Sequence, residues 1–325
     1  MKLLWWMMVL RQGVKILKET EKSSYEQKIA GEASFWDKKV EEQLAIGMIP
    51  DIRRAVKRKK VVSFYDDPEI ERIMRGDVRT FIIQKACETK GRALDLGCGV
   101  GWLSLELARN GMNVEGIDIS EKRIQVAKDY LEIAPEKEKF GSINYKVADL
   151  NKIILEECAY QTVVVWDALH HIPEIERLIK EVRKALKLGG NFLVLDSIGS
   201  SKLGSLLSKA LYLLLPTKKS YLEKIMLVPK YLKTKILRQQ TSIEESSPFE
   251  HVTEIEMVEI IKKHFAIKTM RTLLAFSMPL APSLKVRKPL KYKLVSFVKL
   301  LDDFLIRMRI LRGEQVFIWA KKEEN

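Results

Sequence analysis

Asp95-Leu96-Gly97-Cys98-Gly99-Val100-Gly101 sets three glycines at alternate positions, the first of them two residues after an acid. Glycine there lets the backbone turn sharply and lets a ligand reach main-chain N–H groups with no Cβ in the way. The helical run that follows, closed by Gly111, points the positive end of its dipole at that ligand. A dinucleotide would satisfy such a turn taken alone. Farther along, Trp166-Asp167-Ala168-Leu169-His170-His171 offers a carboxylate and two imidazoles. Histidine is the side chain best tuned for proton transfer near neutrality, and an oxygen nucleophile gains from such a base. Adjacent histidines cannot both point one way from a helical turn, so one can reach a site while the other caps or packs.

The elements that must hold these residues alternate strand and helix, the mark of a parallel sheet covered on both faces. Ala93 to Leu96 is a short buried strand and Asn113 to Ser120 a second one carrying Asp118. Tyr145 to Leu150 is a third, with Asp149 near its end, and the run from Thr162 a fourth. Ser120 is placed to cap a helix bearing Ile124, Ala127 and Leu131. After Pro173, the stripe Ile175, Leu178, Ile179, Val182, Leu186 predicts a helix closed by Gly189-Gly190. Asn191 to Asp196 is a fifth strand, Ile267 to Met278 a sixth and Gln315 to Lys321 the last. Beyond the N-terminal segment, two helices precede the first strand: Glu32 to Ile49, and Pro68 to Cys87 with Gly76 breaking or bending it. Thr253 and Glu256 form a capping box for a helix with Met257, Ile260, Ile261 and Phe265 on its buried side.

These units, in this order over roughly a hundred residues, resemble the class I S-adenosylmethionine (SAM) dependent methyltransferases. Thr162 to Glu174, TVVVWDALHHIPE, resembles the fourth strand and loop of the ubiquinone/menaquinone-biosynthesis type. The resemblance implies a Rossmann-like, seven-stranded sheet with helices on both faces and an antiparallel last strand. It implies that Asp95, Gly97, Cys98, Gly99 and Gly101 form the cofactor loop, Asp118 holds the ribose and Asp149 the adenine amine. Ile119 would pack on the adenine face and Leu150 would follow in the same pocket by its backbone N–H, with Trp166 also in contact. Asp167, His170 and His171 are the candidate catalytic residues, or structural ones. An aromatic from the N-terminal cap, Trp36 or Tyr65, would cover the site or else pack in the core.

Against that family, two insertions stand out, at about 197–250 and 279–313. The chain divides into an N-terminal helical and basic cap, 1–66, and a methyltransferase domain, 67–325, with 1–18 either a membrane-surface helix or a helix packed on the domain. Leu3 to Leu10 is uniformly apolar, far short of the ~20 residues that span a bilayer, and no small-residue cleavage site follows. The whole chain carries a net charge of +14. Gly91 to Asp196 holds 14 Lys/Arg against 17 Asp/Glu, whereas Ser283 to Arg312 holds nine against two. Ile198 to Arg238 holds nine against one, and Ile52 to Lys60 adds six basic residues. The appendages are basic and the core is not, which points to an anionic partner.

Three cysteines without a CxxC pair predict neither a disulfide framework nor a zinc site, and fit a reducing, cytoplasmic setting. No metal is expected. No Asn-Pro-Pro-Tyr tetrapeptide or Pro-Cys pair follows the fourth strand, against adenine-amino and cytosine-C5 methylation. The reading is methyl transfer from SAM to a small apolar or amphipathic acceptor, a lipid, quinone precursor or lipid-linked sugar, at oxygen and at the inner face of a membrane. The alternatives are an RNA methyltransferase gripping phosphates with its basic appendages, and a SAM-binding module without turnover.

Overall fold

The computed structural model describes residues 2–45, 47–53, 67–226 and 254–324, with side chains from Ser24 onward and, past 253, from Glu256. Helix α1 spans Lys2–Ala45 as one element. The sequence breaks this stretch into two helices, but no proline interrupts it. It ends in a Schellman motif: Gly47 has φ +75°, its N–H donates to Leu44 O, and Met48 N–H donates to Gln43 O. Helix α2, Pro68–Ala86, starts at the N-cap Asp67 and runs unbroken through Gly76. Burial of that turn outweighs the ~1 kcal/mol that glycine costs a helix.

The core alternates β1 (Arg92–Leu96), α3 (Trp102–Arg109), β2 (Asn113–Asp118), α4 (Glu121–Ile133), β3 (Ile143–Val147), β4 (Tyr160–Trp166), α5 (Ile175–Ala185) and β5 (Leu186–Ser197). Then come α6 (Lys202–Leu214), a helical stretch at 221–226, and α7 (Glu254–His264). Strand β6 (Ala266–Leu273), α8 (Ser277–Ser283), α9 (Lys288–Arg307) and β7 (Gln315–Lys321) complete the order. The sheet has seven strands in the order β3-β2-β1-β4-β5-β7-β6. β7 lies antiparallel between β5 and β6, and β1 to β5 pair in parallel. This is the Rossmann-like class I methyltransferase sheet.

Two boundaries differ from the sequence pattern. Gly189 and Gly190 do not close a helix: α5 stops at Ala185, and Leu186 pairs with Tyr160 as the irregular start of β5. Sheet pairing therefore takes over the last apolar position of the helical stripe. Strand β6 ends at Leu273 and not at Met278, because the chain turns through Leu274, φ +59°, into α8. Of the capping box, Thr253 lies outside the described residues, as do Tyr65 and the basic run from Arg54 to Lys60.

Each sheet face buries its own apolar cluster. One gathers Leu94, Val163, Val165, Phe192 and Val194 with the α5 stripe and with Met257, Ile261 and Phe265 of α7. The other sets Val164, Trp166, Leu193 and Leu195 against α2 and α3. Both faces being covered explains why these strands read as continuous apolar runs.

Candidate functional site

The C-terminal ends of β1, β2 and β4 open into one cavity beneath α1, where an open parallel sheet places its ligands. Its walls include Ile29, Glu32 and Trp36 from α1, and Gly97, Asp118, Ile119, Asp149, Leu150, Asp167 and His171 from the core. Arg123, Asn151, Ala168 and Ile172 line it as well.

The glycine turn is held from behind. Gly97, Gly99 and Gly101 all have positive φ, at +71°, +54° and +81°. A Cβ on Gly97 would lie 2.4 Å from the Ala168 Cβ, and one on Gly101 would lie 2.3 Å from the Tyr145 hydroxyl. Asp95, fully buried, accepts from Ser104 Oγ at 2.6 Å. Burial, with the nearby Asp118 charge, pushes the Asp95 carboxyl up to about 7. Cys98 is buried behind the turn, and burial holds its thiol well above the usual range. Asp95, Cys98, Gly99 and Gly101 thus shape the loop from outside the cavity wall, and Gly97 is the member that lines it.

Asp118 ties the turn to the second strand. Its Oδ2 accepts from Gly99 N–H at 2.8 Å and its Oδ1 from Ser120 N–H at 2.9 Å. Ser120 caps α4 through Arg123 N–H, as its position predicts, and its hydroxyl donates to Asp37 of α1 at 2.5 Å. The Arg123 guanidinium lies 3.8 Å from the Trp36 ring centroid, and Trp36 of α1 lines the cavity. Asp149 Oδ1 accepts from Asn151 N and Nδ2, both at 2.9 Å, while Tyr25 Oη donates to its Oδ2 at 2.6 Å.

The two histidines part company. His171 lines the cavity in edge contact with Trp36, ring centroids 5.2 Å apart, and its Nδ1 lies 3.5 Å from Glu32 Oε1. Burial, and then the adjacent His170, depress its pKa to about 3, so the ring is neutral. His170 instead sets Nδ1 2.5 Å from Asp196 Oδ1. Asp196, fully buried, also accepts from Ala168 N–H at 3.0 Å, Leu169 N–H at 2.7 Å and Ser197 N–H at 2.8 Å. One carboxylate therefore shapes the whole loop after β4.

Asp167 has φ +51° and lines the cavity. Gln315 Nε2 donates to it at 3.1 Å, and Arg75 Nη1 lies 3.4 Å away. Burial pushes its carboxyl up to about 6, against the pull of the Arg75 charge. Trp166, one residue earlier, points to the opposite sheet face. It stacks edge-on against Trp102 at 4.8 Å, and it does not line the cavity. Glu32, Tyr25, Arg75, Asp196 and Gln315 escaped the sequence reading, since each arrives from a distant element. Only the place of Asp196 at the end of a buried strand was a visible signal.

The strand order is that of the class I methyltransferase fold. Residues 94–194 match the family described as "Methyltransferase domain". The chain is 34% identical over 114 residues to the ubiquinone biosynthesis O-methyltransferase of Coxiella burnetii, covering 35% of this chain and 47% of that one. It is 34% identical over 110 residues to the sterol 24-C-methyltransferase of Saccharomyces cerevisiae, covering 34% and 28%. A solved SAM-dependent methyltransferase from Mesorhizobium loti aligns at 19% identity, with TM-score 0.45, over 76% of this chain and 97% of that one. The chain thus spans under half the length of these curated relatives. Among the described residues, no group of His, Cys, Asp and Glu could hold a metal ion. No described helix is long and apolar enough to cross a membrane.

The residues present fit SAM. A Cβ at Gly97 would run into Ala168 in the cavity wall, and Asp118 and Asp149 line that cavity together with the apolar Ile119 and Leu150.

Proposed function

We propose that this protein is a methyltransferase that methylates an oxygen atom of a small apolar or amphipathic acceptor at the expense of SAM. The observation that carries the reading is the Asp118 carboxylate, bridged to Gly99 and Ser120 N–H groups at the mouth of the glycine turn. SAM would supply a sulfonium-activated methyl group. The glycine turn would receive its amino-acid end, Asp118 the ribose hydroxyls, and Asp149 the adenine amine between Ile119 and Leu150. Trp36 and the wall of α1 exclude water from above.

An activated methyl group leaves the protein mainly the work of orientation, and holding the acceptor in line supplies about 7–11 kcal/mol in favourable cases. Asp167 is the base of choice. It sits in the cavity wall, its carboxyl is raised to about 6, and Arg75 and Gln315 fix its direction. A neutral His171, depressed to about 3, acts as a hydrogen-bonding wall and not as a proton acceptor. His170, on Asp196, holds the loop that carries both. The relatives named for ubiquinone and sterol methylation support an acceptor of lipid or quinone-precursor character. The basic appendages support work at the inner face of a membrane.

Calorimetric titration with SAM, followed by labelled-methyl transfer into lipid extracts, tests the reading. Micromolar SAM binding with label in an organic-soluble product is the expected result. Absence of SAM binding by the folded protein would overturn it.

A further inference from the structure

Helix α9 is apolar on two sides. Its inner side buries Val295 and Val298, and Leu294, Leu301 and Leu305 pack on a cluster of Ala275, Phe276, Leu280 and Leu311. Its outer side sets Leu290, Phe297, Leu300 and Phe304 in solvent, with Met308 just beyond the helix end. These fall at i, i+7, i+10, i+14 and i+18, one continuous stripe at helical spacing. Phe297, Leu300 and Phe304 are 62%, 67% and 56% exposed. An ordinary core-facing helix has no second stripe.

Helix α6 repeats the arrangement beside it. Leu207, Leu211 and Tyr212 pack on the same cluster, while Leu203, Leu206 and Leu214 are exposed. The stretch at 221–226 adds exposed Tyr221, Leu222, Ile225 and Met226. So many exposed apolar side chains on neighbouring elements mark an interaction surface.

Charge selects the partner. Ser283 to Arg312 carries nine Lys/Arg and two acids, and both acids are engaged. Asp302 is fully buried, accepting from Ala275 N–H at 3.0 Å and Ser277 N–H at 3.1 Å. Asp303 pairs with Lys299 at 2.5 Å. A second copy docking by twofold symmetry would set this basic rim against itself. Nucleic acid would leave the leucines and phenylalanines without a counterpart. An anionic bilayer takes both parts: the stripe enters the headgroup–acyl boundary while Lys and Arg stay among the phosphates. We infer that the outer faces of α6, α9 and the 221–226 stretch form a docking surface for an anionic lipid bilayer. This does not depend on the methyl-transfer reading.

The test is flotation of the full chain with vesicles of phosphatidylcholine alone, or with added phosphatidylglycerol, at low and high salt. One variant combines Phe297→Ser, Leu300→Ser and Phe304→Ser. A second combines Lys288→Glu and Lys293→Glu. All five positions lie off the cavity, so melting temperature and SAM affinity should match the parent protein. The expected result is flotation of the parent with anionic vesicles that weakens at high salt, reduced at least ~10-fold by the apolar variant and reduced at low salt by the charge variant. Parental flotation of the apolar variant would overturn the inference. So would a dimer that this variant dissociates with no vesicle binding, or salt-sensitive retention on RNA with no vesicle binding.

Discussion

Tyr25 and Asp149, 124 residues apart, meet through a 2.6 Å hydrogen bond that pins α1 to the wall of the cavity. The neighbouring carboxylate, together with burial, holds the tyrosine hydroxyl in its protonated, donating form. Asp37 on Ser120 and the Glu41–Lys122 pair are further ties between the same helix and α4. Removing one tie should loosen the roof without dismantling the floor. Tyr25→Phe is expected to speed SAM dissociation about 5-fold, in line with roughly 1 kcal/mol for one hydrogen bond. Stopped-flow displacement measures it, and an unchanged off-rate would mean that α1 does not close over the ligand.

Gly97 and Ala168 make a contact pair across the top of the sheet. Gly97→Ala puts a methyl group 2.4 Å from the Ala168 Cβ on a backbone at φ +71°. The variant should lose detectable SAM binding and melt earlier, with a cost of about 1–3 kcal/mol from backbone strain before the clash is counted. Adding Ala168→Gly removes the clash and leaves the strain, so binding should return in part. Calorimetry on the pair separates the two causes.

On the proposed reading, Asp167 as the base should set the acid limb of activity. Its carboxyl, raised to about 6, is protonated and inactive as a base below that pH and ionised above it. Turnover should therefore rise through about pH 6 and level off. Asp167→Asn should lower kcat by ~10²–10⁴, flatten that limb and leave SAM affinity within a few-fold. An unchanged pH profile in Asp167→Asn would remove this residue from the proton inventory.

His171 makes the fold acid-sensitive. An imidazole at about 3 in the folded protein and near its ordinary 6.5 when unfolded takes up protons preferentially in the unfolded chain. Its contribution is thus fully present above about pH 6.5 and is lost progressively as pH falls toward 3. In His171→Gln, the decline in melting temperature between pH 6.5 and pH 4 should be shallower than in the parent protein. Equal slopes would show that the ring stays hydrated and free to protonate.

What was legible in the sequence was local chemistry. The glycine turn and the Ser120 cap could be named because each depends on a few adjacent residues with one steric solution, whereas Asp118 and Asp149 are singled out through the family resemblance. The parallel sheet followed from the alternation of strand and helix, and the antiparallel last strand from the family resemblance. Gly189-Gly190 misled because a helix stripe followed by glycine looks the same whether the chain stops or pairs, and Tyr160 decides the matter from another strand. Gly76 misled because a helix tolerates glycine once that turn is buried. The partners Glu32, Arg75 and Gln315 were invisible for a related reason: what makes a buried ion or amide matter is the residue brought opposite it.

β7 is the second-to-last strand in the sheet but the last in the chain, and its first residue, Gln315, reaches Asp167 from 148 positions away. During synthesis, at ~5–20 residues per second, the cofactor loop and Asp118 leave the ribosome long before Gln315 does. A nascent chain that has not yet made β7 therefore carries Gly97, Asp118 and Asp149 while Asp167 still lacks Gln315, one of its two holders. On the proposed reading, a molecule clipped before β7 would lose Gln315 as a holder of Asp167, together with the β7 side chains that complete the core on both sheet faces.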